Sequence, residues 1–248
     1  MRKTIIVPLI GFLFLFSVNG VAQNAYEILK KSEDNMRGLS NHATITMSII
    51  RPDWQRDMTM EIWSQGTEYS LIHITSPARD KGTAFLKRKK EIWNWQPKIN
   101  KIIKLPPSMM GQSWMGSDFS NDDLVEESST LKDYNQKILR EEEYAGRICY
   151  VIELIPKEDA AVVWGKVLMW VDKKDFIQLK IESYDEDMFL VNTLSASKIK
   201  EIDGHVLATV LEVIPEDGEG KTVMKYKQIK FDIDFPKNFF SIQQLKRL

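Results

Sequence analysis

The residues of this chain that are best suited to chemistry are methionines and aromatic residues, and the chemistry they suit is the binding of apolar groups. Residues 109–124, with the sequence MMGQSWMGSDFSNDDL, show no strand or helix periodicity until their end. Methionine adapts its shape to irregular apolar partners, and exposed apolar surface usually marks a ligand or partner site. The segment therefore predicts either a loop that contacts a ligand or a loop whose side chains fill the core of the domain itself. Its large apolar side chains are Met109, Met110, Trp114, Met115 and Phe119.

The polar side chains show no pattern that is typical of an enzyme. The three histidines, His42, His73 and His205, are far apart in the sequence and lack the spacing of metal ligands. The chain has neither a nucleophile elbow nor a glycine-rich phosphate loop. We therefore expect no catalytic residues, no metal and no cofactor.

The charges of the chain are balanced. Its 34 Lys and Arg residues stand against 35 Asp and Glu residues, which argues against a nucleic-acid partner because such partners are met by a clearly basic face. The acidic runs at residues 185–187 and 216–219 lack the full spacing of a calcium loop and predict solvated turns. The basic run at residues 87–90 is short and lies between two predicted strands, so we expect it to be solvated as well.

The first 22 residues have the layout of a secretory signal peptide. Arg2 and Lys3 precede an apolar run over residues 5–18, and small residues lead up to Ala22. The run is short for a membrane span, which takes roughly 20 residues as a helix. We expect cleavage near Ala22 and a mature protein outside the cytoplasm. Because no linker or repeat divides the rest, residues 23–248 predict a single domain.

Spacing and turn signals predict a mainly β (α+β) fold that begins with a helix. Residues 25–36 place apolar side chains at helical spacing, with Asn24 as the cap and Gly38 at the end. Ser120 and Asp123 have the spacing of a capping box and predict a short helix within the apolar loop. Strand patterns cover residues 43–50, 57–63, 69–75, 83–89, 91–96, 101–105, 137–143, 147–155, 165–171, 177–184, 187–199, 205–214 and 221–233.

These short strands and frequent turns indicate one long antiparallel sheet. A sheet of this length that curls around its apolar face, with only two or three helices to close it, leaves an apolar cavity. The lone Cys149 cannot form an internal disulfide, so stability must come from packing.

Three motifs resemble those of the outer-membrane lipoprotein-sorting family, the LolA-like periplasmic carriers. They are GTAFL at residues 82–86, EIWNWQP at residues 91–97 and MGSDFSNDDL at residues 115–124. The family has a GTxFL strand, an aromatic strand that runs into a proline and an MGSDFS-x-x-DL loop in this order. A weaker resemblance extends from the N-terminal helix to residues 239–245, and so covers essentially the mature chain.

The resemblance implies a curved antiparallel half-barrel of about 11 strands, with the N-terminal helix and the loop helix over a hydrophobic cavity. It implies a monomeric periplasmic carrier for the acyl chains of a lipoprotein or lipid, served by an inner-membrane transporter and an outer-membrane receptor. In archetypal members an arginine on an early strand holds the lid closed, but neither Arg51 nor Arg56 lies in a motif that assigns this role. The lid or rim contacts would come from Met109, Met110, Trp114, Met115 and Phe119, and the cavity lining from Met58, Met60, Ile62, Phe85, Trp93 and Trp95.

A second interpretation stays open at this point. The protein could instead be a non-enzymatic cell-envelope interaction protein that docks on a membrane or protein partner through its Met/Trp-rich loop. The two interpretations differ in where the apolar surface lies. A carrier needs an empty cavity of ligand size, whereas a docking protein needs an exposed loop.

Overall fold

The computed structural model describes residues 24–125 and 129–248 of the chain. The predicted signal peptide lies outside these residues. Within the described part, no helix is long and apolar enough to cross a membrane.

The described chain begins with helix α1 (Ala25–Arg37), close to the predicted bounds. The Asn24 side chain accepts a hydrogen bond of 2.8 Å from the amide of Glu27, which satisfies one of the free donors of the first turn. Gly38 ends the helix at φ 60, where its amide donates to the Asp34 carbonyl. The buried face of the helix consists of Ala25, Ile28, Leu29 and Ser32.

Every one of the thirteen segments with a strand pattern forms a strand. The expected number of about 11 was too low, because even five-residue segments such as β4 and β6 pair with their neighbours. The strands are β1 (Ser40–Ile50), β2 (Gln55–Gln65), β3 (Tyr69–Ser76), β4 (Ala84–Arg88), β5 (Glu91–Gln96), β6 (Lys101–Leu105), β7 (Tyr134–Tyr144), β8 (Arg147–Pro156), β9 (Lys166–Asp172), β10 (Gln178–Tyr184), β11 (Leu190–Ile202), β12 (His205–Pro215) and β13 (Lys221–Phe231).

The strands form a single open antiparallel sheet, which confirms the predicted curved half-barrel. Its order is β6-β5-β4-β3-β2-β1-β13-β12-β11-β10-β9-β8-β7, with β6 and β7 at the edges. Two meanders, β1–β6 and β7–β13, therefore meet where the first strand pairs with the last. The register of this central pair runs from Asn41 opposite Phe231 to Ile50 opposite Lys221.

Different segments cover the two faces of the sheet. On the inner face, α1 packs on β7–β9 and residues 106–124, here called the covering loop, pack on β1–β5. The covering loop ends in the short helix α2 (Asn121–Val125). On the outer face, the C-terminal residues Phe240 and Leu245 pack against Leu71 and Leu86. The loop and α1 thus share one face and leave a space between them.

Candidate functional site

A cavity of about 590 Å³ lies on the inner face, between α1 and the covering loop. Its sheet wall comes from both meanders, because β1, β2, β11, β12 and β13 all contribute side chains. The volume lies within the range of roughly 300–1,000 Å³ that is typical of small-molecule sites. The apolar part of the lining includes Met36, Ala43, Ile45, Ile62, Phe119, Leu124, Leu194, Val213 and Met224.

The covering loop turns its aromatic side chains inward through a tight reversal of the chain. Met115 and Gly116 have φ values of 52 and 78, and the amide of Trp114 donates to the Phe119 carbonyl at 2.8 Å. This reversal leaves Trp114 with no exposed surface and places its ring 5.4 Å from that of Phe85. The glycine in the MGSDFS motif thus serves a left-handed turn that most side chains disfavour.

Helix α2 is fixed by the predicted capping box and by one bond to the second meander. The Ser120 amide donates to Asp123 Oδ2 at 2.7 Å, and the Asp123 amide donates to Ser120 Oγ at 3.1 Å. Trp164, just before β9, donates from Nε1 to Asp123 Oδ1 at 3.2 Å. Burial raises the pKa of the Asp123 carboxyl above its usual range, although the hydrogen bonds from Ser120 and Trp164 oppose this shift.

Two arginines attach the covering loop to the first meander. Arg51 donates to both carboxylate oxygens of Asp118, at 3.0 and 2.7 Å, and Thr222 Oγ1 donates to the same carboxylate at 2.7 Å. Arg56 donates to the Met115 carbonyl. Sequence reasoning could not assign either arginine to the loop. The available signal was Asp118, an acidic residue within a motif that is otherwise apolar or small.

The five residues that were predicted at the lid or rim all belong to the covering loop and face the sheet. Met110, Trp114 and Phe119 are buried, while Met109 and Met115 are partly buried against the same core. Of the five, Phe119 lines the cavity, and the others pack beside it under the loop. Contact of these residues with a ligand stays a prediction.

The six residues that were predicted to line the cavity lie in three different places. Ile62 lines it. Met58, Met60 and Phe85 are on the inner face but lie in the core beneath the covering loop. Trp93 and Trp95 do not line the cavity, because they pack on the outer face against Phe240 and Leu245. The register of β5 turns Ile92 inward instead, so the alternation of the strand excludes both tryptophans.

The histidines take part in packing and hydrogen bonding. His42 Nε2 lies 2.5 Å from Glu61, and its ring stacks on Trp63 at 4.9 Å between centroids. His205 Nδ1 lies 2.8 Å from the Asn35 carbonyl. Burial lowers the pKa of His73. Among the described residues, no group of three or more His, Cys, Asp or Glu side chains is placed to hold a metal ion.

Solved structures share this architecture over nearly the whole chain. A DUF1329 family protein from Desulfovibrio piger has a TM-score of 0.82 at 24% identity, and covers 89% of this chain and 97% of its own. A LolA superfamily protein from Nitrosomonas europaea has a TM-score of 0.78 at 25% identity, with 90% and 100% covered. A family model described only as an uncharacterized protein matches residues 66–247. The chain belongs to the family that this model describes, and its fold is that of the LolA superfamily.

A third solved structure that matches has a description that refers to lipoproteins. It is a domain from Vibrio parahaemolyticus described as belonging to an outer membrane lipoprotein-sorting protein, with a TM-score of 0.81 at 23% identity over 90% of this chain and 98% of that chain. At this identity the match shows the shared fold. No curated protein matches the chain. The shared fold confirms the resemblance that the three sequence motifs indicated.

Proposed function

We propose that the protein is a non-enzymatic periplasmic carrier that holds acyl chains of a lipoprotein or lipid in its inner-face cavity and moves them toward the outer membrane. The observation that carries this proposal is the largely apolar sheet wall of the cavity, covered by α1 and the covering loop. Exposing an acyl chain to water costs about 0.8 kcal/mol per methylene, so a carrier must offer an apolar wall in place of water. By resemblance, the donor is an inner-membrane transporter and the acceptor an outer-membrane receptor.

The way in which the covering loop is held suits reversible loading. Its polar attachments are hydrogen bonds and an ion pair, through Arg51, Arg56 and Trp164, and none of them is part of the strand pairing of the sheet. A ligand or receptor that prefers the open arrangement would shift the loop toward it by its differential affinity. Transfer therefore needs no chemistry, only a partner that binds the cargo or the open loop more tightly.

The positions of the loop side chains favour the carrier over the docking protein. A docking loop needs its aromatic and methionine side chains in solvent, whereas Trp114, Met110 and Phe119 are at most 5% exposed. Their apolar surface is buried within the molecule, beside the cavity. The Met/Trp-rich loop therefore acts in this proposal as a cover and not as a contact surface.

The proposal is tested by filling the cavity. Ala43 lines the cavity from β1 and is 2% exposed, so Ala43→Trp places an indole where the acyl chain would lie. Ala161 is exposed in the β8–β9 connection, and Ala161→Trp is the matched control. We expect the mature protein to bind a fluorescent 16-carbon acyl probe, Ala43→Trp to weaken binding at least about tenfold, and Ala161→Trp to leave it unchanged.

Two results would contradict the carrier. One is a wild-type protein that binds no acyl probe and co-purifies with no acylated species in native mass spectrometry. The other is a folded Ala43→Trp variant with wild-type affinity. Because a bulky residue can also unfold the core, the smaller change Ala43→Leu is measured in parallel, with thermal unfolding of each variant as the check on folding.

A further inference from the structure

We infer that the ligand of the cavity is a single-chain amphiphile with an anionic head group, held at the end of the cavity between the β4–β5 turn and α1. The inference rests on the proposed function and names the class of ligand that the same site takes. Two features carry it, the size of the cavity and the order in which its lining changes from apolar to charged.

The size of the cavity limits the number of chains. A methylene group takes about the volume of one water molecule in the liquid, roughly 30 Å³. A cavity of about 590 Å³ therefore holds on the order of 20 methylene groups. This is one long acyl chain, whereas a diacyl or triacyl anchor carries two or three times as many. With the covering loop in its present place, there is room for one chain.

The lining changes abruptly between two neighbouring rows of the sheet. In the first row, four paired inward residues across β1–β4 are apolar: Ala43, Ile62, Ile72 and Phe85. Ala43 and Ile62 line the cavity, whereas Ile72 and Phe85 continue the row into the core beneath the covering loop. One step toward the β2–β3 and β4–β5 turns, the next inward row is polar throughout. This polar row consists of Asn41, Ser64, Ser70 and Lys87, all of which line the cavity.

The unsatisfied polar atom at this end of the cavity belongs to α1, because the polar row already has partners within the protein, such as the Arg37 carbonyl to which Asn41 donates at 3.0 Å. Asn41, Ser64 and Lys87 are each less than one tenth exposed, and buried polar groups are unfavourable unless they find partners. Lys87 already interacts within the protein, so it makes the row polar but is not available to bind a ligand. From the opposite wall, α1 brings the hydroxyl of Ser32 to the cavity. Ser32 is 2% exposed, and its oxygen has no hydrogen-bond partner among the described residues.

The charge at this end of the cavity comes from the β4–β5 turn. Lys89 and Lys90 line the cavity where it meets solvent, and neither ammonium group has an ion pair or hydrogen bond with the described residues. The lining also holds Glu33, which is paired with Arg37 at 3.3 Å, Glu68 on the β2–β3 turn, and, farther along, Asp122, Asp123, Lys132 and Asp133. The lining as a whole therefore carries as many acidic as basic side chains. The positive charge for an anionic head group is confined to the β4–β5 turn, where Lys89 and Lys90 lie together beside Glu68.

The expectation that the basic run is solvated holds for residues 88–90, which are exposed, and is wrong for Lys87. Lys87 is buried and turned inward, and the two lysines after it extend the same wall into solvent. A chain that enters tail first would lie on the apolar row and beyond, with its head group at the polar row and the lysines. Carboxylate and phosphate share the chemistry that such a site recognises.

The test compares 16-carbon ligands that differ only in the head group. Palmitate, hexadecyl phosphate, hexadecanol and hexadecylamine each displace the fluorescent acyl probe from the wild type, from Lys89→Gln/Lys90→Gln and from Lys98→Gln/Lys101→Gln. The last pair is the matched control, since both lysines are exposed at the opposite end of the neighbouring strands. We expect the two anions to bind most tightly, and the first double variant to weaken only their binding, by about 3- to 10-fold at low salt. The relative affinities of palmitate and hexadecyl phosphate then identify the preferred anion.

Each other outcome decides against a named part of the inference. Equal affinity for hexadecanol and palmitate, or no effect of Lys89→Gln/Lys90→Gln, overturns the anionic head group while the carrier stands. Wild-type-like binding of a diacyl phosphatidic acid, seen as a one-to-one complex in native mass spectrometry, overturns the single chain. Failure of every 16-carbon ligand and of the probe itself overturns the proposed function and not only its head-group preference.

Discussion

The ion pair between Arg51 and Asp118 should hold the covering loop over the cavity. We consider Arg51→Met, Asp118→Ala and the double variant, which together isolate the energy of this pair in a double-mutant cycle. The Arg51 stem and its packing are kept in part by methionine. Thr222 is unchanged in all four proteins. It is the second donor to the carboxylate in the two proteins that retain Asp118.

The magnitude follows from the burial of the pair. The Asp118 side chain is 9% exposed and that of Arg51 20%, and both hydrogen bonds between them are charge-assisted. Such bonds contribute about 1.5–3 kcal/mol, while the loss of one partner of a fully buried pair costs about 3–5 kcal/mol. Because the guanidinium meets solvent on one side, we expect a coupling energy near the lower end, about 2 kcal/mol.

Hydrogen exchange of the loop amides measures this energy where it acts. The amides of Trp114 and Asn121 donate within the covering loop, to Phe119 and Gln112. A loss of about 2 kcal/mol from local opening should speed their exchange about 30-fold, while amides of the β8–β9 ladder keep their rates. Unchanged loop exchange in Arg51→Met, or purely additive effects in urea unfolding of the double variant, would refute the reasoning.

Three further predictions concern buried groups. Because burial raises the pKa of Asp123, the native state binds its proton more tightly than the unfolded state, so the contribution of this group is full below its ordinary pKa and is lost as pH rises through the native pKa. The stability of the wild type relative to Asp123→Asn should therefore fall as the pH rises above about 4, as measured by urea unfolding. A Cβ at Gly165 would lie 2.3 Å from the Asp185 carbonyl oxygen, so Gly165→Ala should lower the free energy of unfolding by about 1–3 kcal/mol. The control Gly111→Ala meets only ordinary contacts and should leave the stability nearly unchanged. Cys149 is fully buried, and burial raises the pKa of its thiol to about 11, so iodoacetamide should label it only after unfolding.

Each of these has a clear contrary result. A pH-independent difference between the wild type and Asp123→Asn would show that the carboxyl has the same pKa in both states. Equal stability of the two glycine variants would show that the backbone at Gly165 moves away without cost. Labelling of Cys149 in the folded protein, at the rate of a free thiol, would show that β8 opens locally.

The fold was predictable because its signals are local. Alternation along each strand and the turn residues between strands located all thirteen strands, and Asn24 and Gly38 marked the ends of α1. The capping box of Ser120 and Asp123 marked the start of α2 in the same way. These patterns depend on neighbours three or four positions away, which a single sequence displays.

The cavity lining was less predictable because it depends on register and on tertiary cover. Trp93 and Trp95 have the composition of a ligand wall, yet the C-terminal segment covers them on the outer face. Met58 and Met60 have the right parity, but the loop lies over them. Conversely, nothing near Lys87 in the sequence shows that its strand pairs it with Ser70 on a buried row.

The pairing of the first strand with the last has a consequence for how the protein folds. Ile50 pairs with Lys221, so the centre of the sheet joins segments from opposite ends of the chain and must wait for a long loop to close. Until β13 arrives, the first meander keeps an unpaired edge at β1, which exposes the emerging chain to aggregation. The cavity draws its walls from both sides of this seam. A chain in which β13 is not yet paired therefore lacks a complete cavity, so in the carrier proposed above the binding of a lipid would wait for this pairing.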